Sequence, residues 1–354
     1  MAAVEERIRL DDCYRNISQV FRIKEFNSHQ KKAIDAIILE KKDVFVNLPT
    51  GSGKSLVFQA MPLMFDLVNV NNVNHSIIIV VSPLINLMLD QVNRLNALGI
   101  TSVCLSEVEN MESVEAGQFS VVYGTPESWL KNERWRCMLS SQVYQERVCA
   151  VAVDEAHVIK QWGTSMNSKH TAFREVYSRL HEFRSLLPSV NILALTATAA
   201  PDTVECIMET LLLVNPIVVM ETPNKKNIMY SVTYMDQTSK PEDYFRWIAD
   251  DIKEKGSSAD RVIIYCQTIK QCGIVYATLK GLLRESLYAG PAEHNPKNVV
   301  LEMIHSCTPK ANKDVILSSF QHADGCIRVL VATIAFGMGV DCKGVHTTIH
   351  FGPA

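Results

Sequence analysis

The chain has 354 residues, of which 47% are hydrophobic and 21% are charged, so it can bury the cores of two or three domains and is not of the disordered class. Its formal net charge of −3 excludes a histone-like binder that works by total charge, although a local basic surface could still bind nucleic acid. The 10 cysteines are scattered without zinc spacing and the longest apolar region, residues 77–89, is interrupted, so we expect no disulfides, structural zinc or membrane segment.

The first part of the chain alternates short β-branched runs with helical patterns, which is typical of α/β domains with a parallel sheet. The runs are continuously apolar, as expected of strands covered on both faces. Two helices are predicted to begin at an N-cap followed by proline, at Ser82-Pro83 and Thr125-Pro126, and a third at Pro201. The predicted strands are residues 44–47, 77–81, 103–105, 120–123, 149–153 and 192–195.

A polar segment with a proline, residues 221–227, predicts a linker, and we place the two domains at residues 1–222 and 223–354. In the second domain a helix is predicted from Pro241 to about Lys255, and a capping box at residues 268–271 begins another. The predicted strands there are residues 228–234, 261–266, 329–332 and 347–351. The expected fold class is α/β, with two tandem domains whose mostly parallel sheets are flanked by helices.

A glycine-rich loop, residues 47–55, follows the first predicted strand and precedes a helix, which is the setting of a phosphate-binding loop. Gly51 and Gly53 allow backbone N–H groups to face phosphates at a helix N-terminus. Lys54 is predicted to reach the β- and γ-phosphates of ATP, and Ser55 to bind Mg²⁺. An ordinary glycine-serine turn is the alternative. The predicted nucleotide-binding residues of the loop are Thr50, Gly51, Ser52, Gly53, Lys54 and Ser55.

Two consecutive carboxylates, Asp154 and Glu155, end the predicted strand 149–153. Asp154 is predicted to hold Mg²⁺ and Glu155 to orient and deprotonate the attacking water, with Lys54 as the third catalytic residue. A solvated strand end is the alternative. After the strand 192–195, hydroxyls could bond these carboxylates and report the state of the nucleotide to the second domain. The predicted coupling residues are His157, Thr196 and Thr198.

These three motifs, in this order, resemble those of superfamily 2 helicases, and further residues resemble the RecQ family. Residues 79–92 are similar to the RecQ segment that touches single-stranded DNA. Residues 161–163 and 173–177 are similar to its aromatic-rich loop, with a wider separation between the two parts. Aromatic rings in such a loop stack on bases, although core packing is the alternative for Trp162. The resemblance implies nucleic-acid contacts by Ser82, Gln91, Thr125, Trp162, Phe173, Arg174 and Thr333.

Residues 21–30 resemble the adenine-reading motif of the family, in which Gln30 hydrogen-bonds the base. Asn27 stands where the family has an arginine, and Asn27 with Gln30 also fits a helix capping box. Residues 331–341 resemble helicase motif V. The resemblance implies that Thr333 contacts the DNA backbone and that Asp341 contacts the ATP sugar or links the domains.

The family continues with a helix of the pattern Q-x-x-G-R-x-G-R, whose arginines assist hydrolysis, and the sequence given stops at Ala354 before it. We therefore expect either an incomplete product of a longer gene or a degenerate copy.

The first hypothesis is a 3′–5′ DNA helicase core that uses ATP and Mg²⁺ and acts on single-stranded or partly duplex DNA. The second is an ATP- and DNA-binding module with weak or no hydrolysis, because the arginines are missing, and the third is an RNA helicase. The resemblance implies a nuclear location if the source is eukaryotic and a cytoplasmic location otherwise.

Overall fold

The computed structural model of the protein describes residues 2–68, 75–163, 174–222, 224, 227–236, 238, 240–289, 298–322, 324–333 and 344–352. The chain divides into two compact units, Met1–Met229 and Tyr230–Ala354. Each unit is built on a parallel sheet with helices around it, which confirms the predicted fold class. The domain boundary that we placed after residue 222 stays a prediction.

The first unit contains a seven-stranded parallel sheet. Its strands are β1 (Val44–Asn47), β2 (Ile77–Val81), β3 (Ser102–Cys104), β4 (Val121–Gly124), β5 (Val148–Val153), β6 (Asn191–Thr196) and β7 (Ile217–Met220). They lie in the order β3-β4-β2-β5-β6-β1-β7. The helices are α1 (Ala2–Val20), α2 (Ser28–Ile38), α3 (Lys54–Val68), α4 (Ile85–Ala97), α5 (Met111–Glu115), α6 (Pro126–Leu130), α7 (Glu133–Leu139), α8 (Gln142–Arg147), α9 (Val158–Gly163), α10 (Glu182–Leu186) and α11 (Pro201–Thr210), with a 3-10 helix at Glu175–Arg179.

The second unit contains a four-stranded parallel sheet in its described part. Its strands are β8 (Arg261–Cys266), β9 (Leu301–Ile304), β10 (Val329–Thr333) and β11 (Val345–Phe351), in the order β11-β8-β10-β9. Its helices are α12 (Pro241–Lys255), α13 (Ile269–Leu283) and α14 (Lys310–Gln321), with 3-10 helices at Gly256–Ser258 and Arg284–Leu287. The predicted capping box of Thr268 and Gln271 is confirmed at the start of α13.

The two faces of the first sheet are covered by two separate hydrophobic cores. Ile78 and Val80 of β2 belong to one core, while Ile77, Ile79 and Val81 of the same strand belong to the other. All five side chains are at least 99% buried. Because alternate strand residues point to opposite faces, a strand covered on both sides must be apolar throughout, which explains the continuous apolar runs.

Two predicted elements are wrong. Residues 228–234 are not a strand: no strand among the described residues pairs with them, and Tyr230 and Tyr234 are 73% and 91% exposed. A helix does not begin at Ser82-Pro83 either, since α4 begins at Ile85 after Leu84. The amide of Ser82 donates to the carbonyl oxygen of Gly124 at 3.1 Å, so it continues the ladder of the sheet and stays extended. Strands β7 and β9 were not predicted.

Over the part of the chain that the structure describes, no helix is both long enough and apolar enough to cross a bilayer. In the same residues, no three His, Cys, Asp or Glu side chains are grouped so that they could hold a metal ion.

Candidate nucleotide and nucleic-acid site

The predicted site residues of the first unit follow strands that end at one edge of the sheet. In the parallel register, Val81 pairs with both Gly124 and Val153, and Asn47 pairs with Thr196. The segments that leave these strands therefore emerge side by side at the carboxyl edge, where open α/β sheets bind their ligands. The residues brought to this edge include Ser82, Thr125, Asp154, Thr196 and the loop that precedes α3.

The phosphate loop turns between β1 and α3 through two glycines with positive φ. Gly51 has φ +85° and Gly53 has φ +77°, a region that side chains other than glycine rarely adopt. A Cβ at Gly53 would also lie 2.5 Å from Nε2 of Gln30. The ammonium of Lys54 donates to the carbonyl oxygens of Leu48 at 3.0 Å and Pro49 at 3.4 Å. The sharp turn and the inward lysine are what a phosphate loop requires.

Four further predicted members of the loop region are placed at the same turn. Ser55 follows Lys54 in the first turn of α3 and is half-buried. Thr50 is exposed, whereas the hydroxyl of Ser52 is buried and has no hydrogen-bond partner. Gln30 is 5% exposed and touches this loop. A buried hydroxyl without a partner is unusual in a folded protein and marks the loop as a place where a polar ligand would be accepted.

Gln30 joins the start of α2 to the phosphate loop. It forms the capping box with Asn27, because the backbone N–H of Asn27 donates to Oε1 of Gln30 at 2.9 Å and the reverse bond is also 2.9 Å. Its Nε2 donates to the carbonyl oxygens of Gly53 at 3.1 Å and Ser52 at 3.4 Å. The capping-box alternative is therefore confirmed, and contact of Gln30 with adenine stays a prediction.

Asp154 and Glu155 occupy different environments although they are adjacent. Asp154 is 5% exposed, and burial followed by the charge of Glu155 raises its pKa to about 7. The hydrogen bond from His157 lowers the pKa of Glu155 despite the burial of this residue, so Glu155 is ionised at neutral pH. The charge of Lys54 also lowers the pKa of both carboxyls.

The backbone holds Glu155 in an unusual conformation. Its φ is +50°, in the left-handed region, which costs a residue with a Cβ about 1–2 kcal/mol. The backbone N–H of Glu155 donates to Oδ1 of Asp154 at 3.0 Å, and the backbone N–H of Asp154 donates to the carbonyl oxygen of Val81 at 2.9 Å. The backbone of Asp154 thus continues the ladder of the sheet, and the chain turns at Glu155.

His157 lies between Glu155 and Thr196. Its Nδ1 is 3.3 Å from Oε2 of Glu155 and 3.1 Å from Oγ1 of Thr196. The same Thr196 hydroxyl accepts from the backbone N–H of Thr198 at 3.2 Å. The sequence predicts that threonine hydroxyls could bond the carboxylates. In the structure the imidazole connects the two groups.

A second cluster at this edge contains Arg174, whose guanidinium binds both carboxylate oxygens of Glu127, with one distance of 2.8 Å. It also donates to the carbonyl oxygen of Pro83 at 3.2 Å. The guanidinium carbon lies 5.4 Å from the centre of the Trp162 ring and 5.2 Å from that of Tyr177. Trp162 is half-buried against the core and meets Tyr177 edge to face at 5.7 Å. Core packing therefore accounts for part of the Trp162 ring, and a base contact stays a prediction.

The other predicted nucleic-acid contacts are mostly turned inward. Ser82 is 2% exposed, and its buried hydroxyl has no hydrogen-bond partner. The hydroxyl of Thr125 caps α6 by accepting from the backbone N–H of Ser128 at 3.2 Å. Oε1 of Gln91 accepts two internal hydrogen bonds. Thr333 ends β10 in the second unit and is 9% exposed. Phe173 and Asp341 lie outside the described residues.

Sequence reasoning missed three side chains at this edge. Glu127 partners Arg174, and Gln59 and Tyr123 hold Gln91 from inside the unit. A signal existed for Glu127, which is an acidic residue in the first turn of a helix that begins with a threonine cap and a proline. Polar residues within the apolar runs of α3 and β4 were the only signal for the other two.

Comparison with known proteins identifies two family models along the chain. The model described as DEAD/DEAH box helicase matches residues 27–207, and the model described as helicase conserved C-terminal domain matches residues 243–354.

Curated relatives extend this similarity. The chain is 30% identical over 343 residues to the ATP-dependent DNA helicase RecQ of Haemophilus influenzae, an alignment that covers 95% of the chain and 48% of the relative. It is 30% identical over 352 residues to the ATP-dependent DNA helicase Q-like 2 of Arabidopsis thaliana, and this alignment covers 97% of the chain and 44% of the relative. It is 29% identical over 345 residues to the ATP-dependent DNA helicase Q1 of Rattus norvegicus, and this alignment covers 94% of the chain and 49% of the relative. The chain thus spans about half the length of these relatives.

Solved structures share the fold. The DUF1998 helicase MrfA bound to DNA matches with a TM-score of 0.65 and 14% identity over 98% of the chain and 47% of that chain. The DEAD-box helicase Mss116 bound to single-stranded RNA matches with a TM-score of 0.63 and 17% identity over 93% of the chain and 65% of that chain. At these identities the likeness shows the α/β fold and nothing finer.

Proposed function

The chain belongs to the DEAD/DEAH box helicase family as a RecQ-like DNA helicase core, and from this premise we propose that it couples ATP hydrolysis to 3′–5′ movement along single-stranded DNA and to the unwinding of duplex DNA. The observation that carries the proposal is that the segments with Lys54, Asp154 and Glu155 leave β1 and β5, the two neighbours of β6, at the carboxyl edge of the first sheet. The relatives are named ATP-dependent DNA helicases, which supports ATP as the nucleotide and DNA as the nucleic acid.

We assign the roles in hydrolysis to residues of the first unit. The positive φ of Gly51 and Gly53 bends the loop around the triphosphate, and Lys54 exchanges its two loop carbonyls for phosphate oxygens. Glu155, which is ionised and held by His157, orients the attacking water and takes its proton. Gln30 fixes the loop against α2 through its bonds to Ser52 and Gly53.

The residues at this edge fit a divalent cation. Asp154 is a buried carboxylate whose pKa is raised to about 7 by burial and by its neighbour Glu155, so its ionised form needs a positive partner. Carboxylate and hydroxyl oxygens are the ligands that Mg²⁺ prefers, and Asp154 and Ser55 would hold it. When bound, Mg²⁺ offsets the negative charge that the phosphates carry during hydrolysis.

Phosphate release at saturating Mg·ATP, with and without a single-stranded DNA oligonucleotide, tests the proposal. We expect DNA to stimulate turnover of the unmodified chain and Lys54→Ala to stay at the background rate. If the unmodified chain does not exceed Lys54→Ala while both bind DNA, hydrolysis is overturned and the binding-module hypothesis replaces it. An RNA oligonucleotide of the same sequence distinguishes a DNA helicase from an RNA helicase, the third hypothesis. Equal stimulation of ATP turnover by RNA contradicts a preference for DNA.

Polarity needs its own substrates. Duplexes with a 3′ or a 5′ single-stranded tail, of the same length and sequence, separate the two directions of movement. We expect strand displacement from the 3′-tailed duplex only, and displacement from the 5′-tailed duplex alone contradicts the proposed polarity.

A further inference from the structure

A closed polar triangle lies inside the first unit. Nε2 of Gln59 in α3 donates to Oε1 of Gln91 in α4 at 3.1 Å and to the hydroxyl of Tyr123 in β4 at 3.3 Å. The Tyr123 hydroxyl donates to the same Gln91 oxygen at 2.9 Å. Gln59 is 7% exposed and Tyr123 is fully buried. Three polar groups from three elements therefore satisfy one another in a region that is otherwise apolar.

The triangle lies on the face of the sheet that carries Asp154. Tyr123 pairs with Val80, and Val80 pairs with Ala152, which places Tyr123 two strands from Ala152. Asp154 is two residues beyond Ala152, and alternate strand residues share a face. The pKa of Tyr123 is raised by its burial and also by the charge of Asp154, although the hydrogen bond from Gln59 opposes both effects. The predicted Mg²⁺ ligand thus influences the tyrosine electrostatically.

The triangle also joins two helices with different predicted partners. Helix α3 begins with Lys54 and Ser55, and Phe58 of this helix meets the Tyr123 ring edge to face at 6.3 Å. Helix α4 lies in the segment that resembles the DNA-touching part of RecQ helicases, and its residue Gln91 accepts the hydrogen bonds from Gln59 and Tyr123. A shift of α3 against the sheet would lengthen bonds that hold α4.

We propose that Gln59, Gln91 and Tyr123 are positioning residues that couple the nucleotide site to the nucleic-acid face of α4. This inference rests on the proposed function. It gives Gln91 an indirect role, in which its oxygen sets the position of α4 instead of contacting DNA. Coupling between two sites is reciprocal, so the nucleotide must change the affinity for DNA by the same factor as DNA changes the affinity for the nucleotide. This factor can be measured without hydrolysis.

The rival explanation is that the triangle only stabilises the core. Tyr123→Phe removes the hydroxyl and keeps the ring and its contact with Phe58. Tyr144→Phe is a matched control, because Tyr144 is also fully buried and donates one hydrogen bond, to the carbonyl oxygen of Val114 at 2.7 Å. Tyr144 belongs to the core on the opposite face of the sheet. Both variants lose a buried hydroxyl, but only the first loses the triangle.

The experiment measures the dissociation constant of the full chain for a fluorescent single-stranded DNA at fixed salt, with and without a non-hydrolysable ATP analogue and Mg²⁺. We expect the analogue to change this constant by about fivefold or more in the unmodified chain and in Tyr144→Phe. In Tyr123→Phe the change should fall to about twofold or less, while the affinity for the analogue alone is retained. Gln91→Met, which removes the oxygen that accepts from both Tyr123 and Gln59, should behave like Tyr123→Phe and serves if that variant does not fold.

The possible outcomes separate the two proposals. If Tyr123→Phe and Gln91→Met keep the factor of the unmodified chain, the triangle is a structural feature and the coupling role is overturned. If the unmodified chain binds both ligands without any mutual effect, the coupling role also falls, while binding of ATP and DNA stands. If the unmodified chain binds no DNA or no analogue, the proposed function itself fails, and the coupling role fails with it.

Discussion

At the scale of single residues, Gly53 is constrained twice. Its φ of +77° strains any residue with a Cβ, and that Cβ would meet the amide of Gln30, which is held at both ends by hydrogen bonds. We expect Gly53→Ala to lower the free energy of unfolding by about 1–2 kcal/mol and to weaken binding of an ATP analogue at least about tenfold. Urea denaturation and fluorescence titration measure the two effects.

Gly99→Ala is the matched control for Gly53→Ala. Gly99 has φ +80°, with no atom within 4 Å of a Cβ built there, so the substitution adds similar backbone strain without touching Gln30. It should lose comparable stability and keep the affinity for the analogue. Wild-type affinity in Gly53→Ala would show that the contact between Gln30 and the loop does not support nucleotide binding.

Glu155 has a predicted chemical role that can be separated from binding. Glu155→Gln keeps the size of the side chain and removes the carboxylate that accepts the proton. We expect hydrolysis to fall by about 10²- to 10⁴-fold, with the affinity for the analogue changed by less than about threefold. Single-turnover hydrolysis and equilibrium titration check this. A variant that hydrolyses ATP at the rate of the unmodified chain would remove Glu155 from the role of general base.

The residues of the phosphate loop and of the acidic motif after β5 could be predicted because the residues of each motif are close together along the chain. Gly51 to Ser55 and Asp154 to His157 are each a local pattern with a chemical reason. Tyr123 and Gln91 have no such pattern, since their contact joins residues 32 positions apart and depends on how α4 packs on the sheet. Long-range pairs of this kind follow from the fold and cannot be read from the sequence alone.

At the scale of elements, a buried ion pair fixes the edge of the first sheet opposite the site. Both carboxylate oxygens of Asp43 accept from Arg184, at 3.1 and 2.5 Å. They also accept from the backbone N–H groups of Ile192 at 2.9 Å and Val214 at 3.0 Å. Asp43 therefore ties the start of β1 to the start of β6, to α10 and to the turn after α11.

Loss of one partner in such a pair leaves a buried charge without compensation. We expect Asp43→Ala to lower the free energy of unfolding by about 3–5 kcal/mol, measured by urea denaturation. The matched control is Glu115→Ala, because Glu115 also receives two bonds from one arginine, Arg134, but this pair lies at the surface. Glu115→Ala should lower the free energy of unfolding far less than Asp43→Ala does. Equal losses in the two variants would contradict the structural role of Asp43.

The pair of Glu127 and Arg174 predicts a change in DNA binding. In the structure the guanidinium is engaged by Glu127, so it is not free for a phosphate. Glu127→Gln should release positive charge, raise the affinity for single-stranded DNA a few-fold and steepen its salt dependence by about 0.7 in the slope of log K against log salt. Fluorescence anisotropy across a salt series measures both. An unchanged affinity would indicate that Arg174 does not reach the nucleic acid.

The same pair predicts a pH dependence. Burial is the largest single effect and raises the pKa of Glu127, but the hydrogen bonds that its carboxylate accepts and the charge of Arg174 together outweigh burial and hold the pKa below its usual value of about 4.3. The ionised form is therefore favoured by folding, so the pair stabilises the unit above about pH 4.3 and loses this effect as the pH falls further. The unfolding midpoints of the unmodified chain and Glu127→Gln should differ at pH 7 and converge at acidic pH, once Glu127 is protonated in the folded state.

Strands β1 to β6 of the first sheet could be predicted to within a residue because each centres on an apolar run that is covered on both faces. Strand β7 was missed, and it is the edge strand whose residues are mostly not buried. The same reasoning failed for residues 228–234, since a β-branched run becomes a strand only where a neighbour supplies hydrogen bonds. It also failed at Ser82, where the ladder bond to Gly124 outweighs the local preference for a helix cap. Both errors arise from tertiary contacts that a local pattern does not contain.

At the scale of the whole molecule, the predicted nucleotide site belongs almost entirely to the first unit. Gln30, Lys54, Asp154, Glu155 and Thr196 all lie within Met1–Met229, which has its own sheet and two cores. The second unit, Tyr230–Ala354, has separate cores of its own. Each unit thus meets the requirement for independent folding, which is a core that does not depend on the other.

This division predicts that residues 1–229 alone fold and bind ATP. We expect the isolated unit to unfold cooperatively and to bind a fluorescent ATP analogue within about tenfold of the affinity of the full chain, because the hydrogen bonds of Gln30, Lys54 and Leu48 that shape the phosphate loop lie inside it. The same fragment with Lys54→Ala is the control and should bind far more weakly. If the fragment is folded but no longer binds the analogue, the second unit supplies a major part of the nucleotide site. Asp341, which is predicted to contact the ATP sugar, is then the first residue to test.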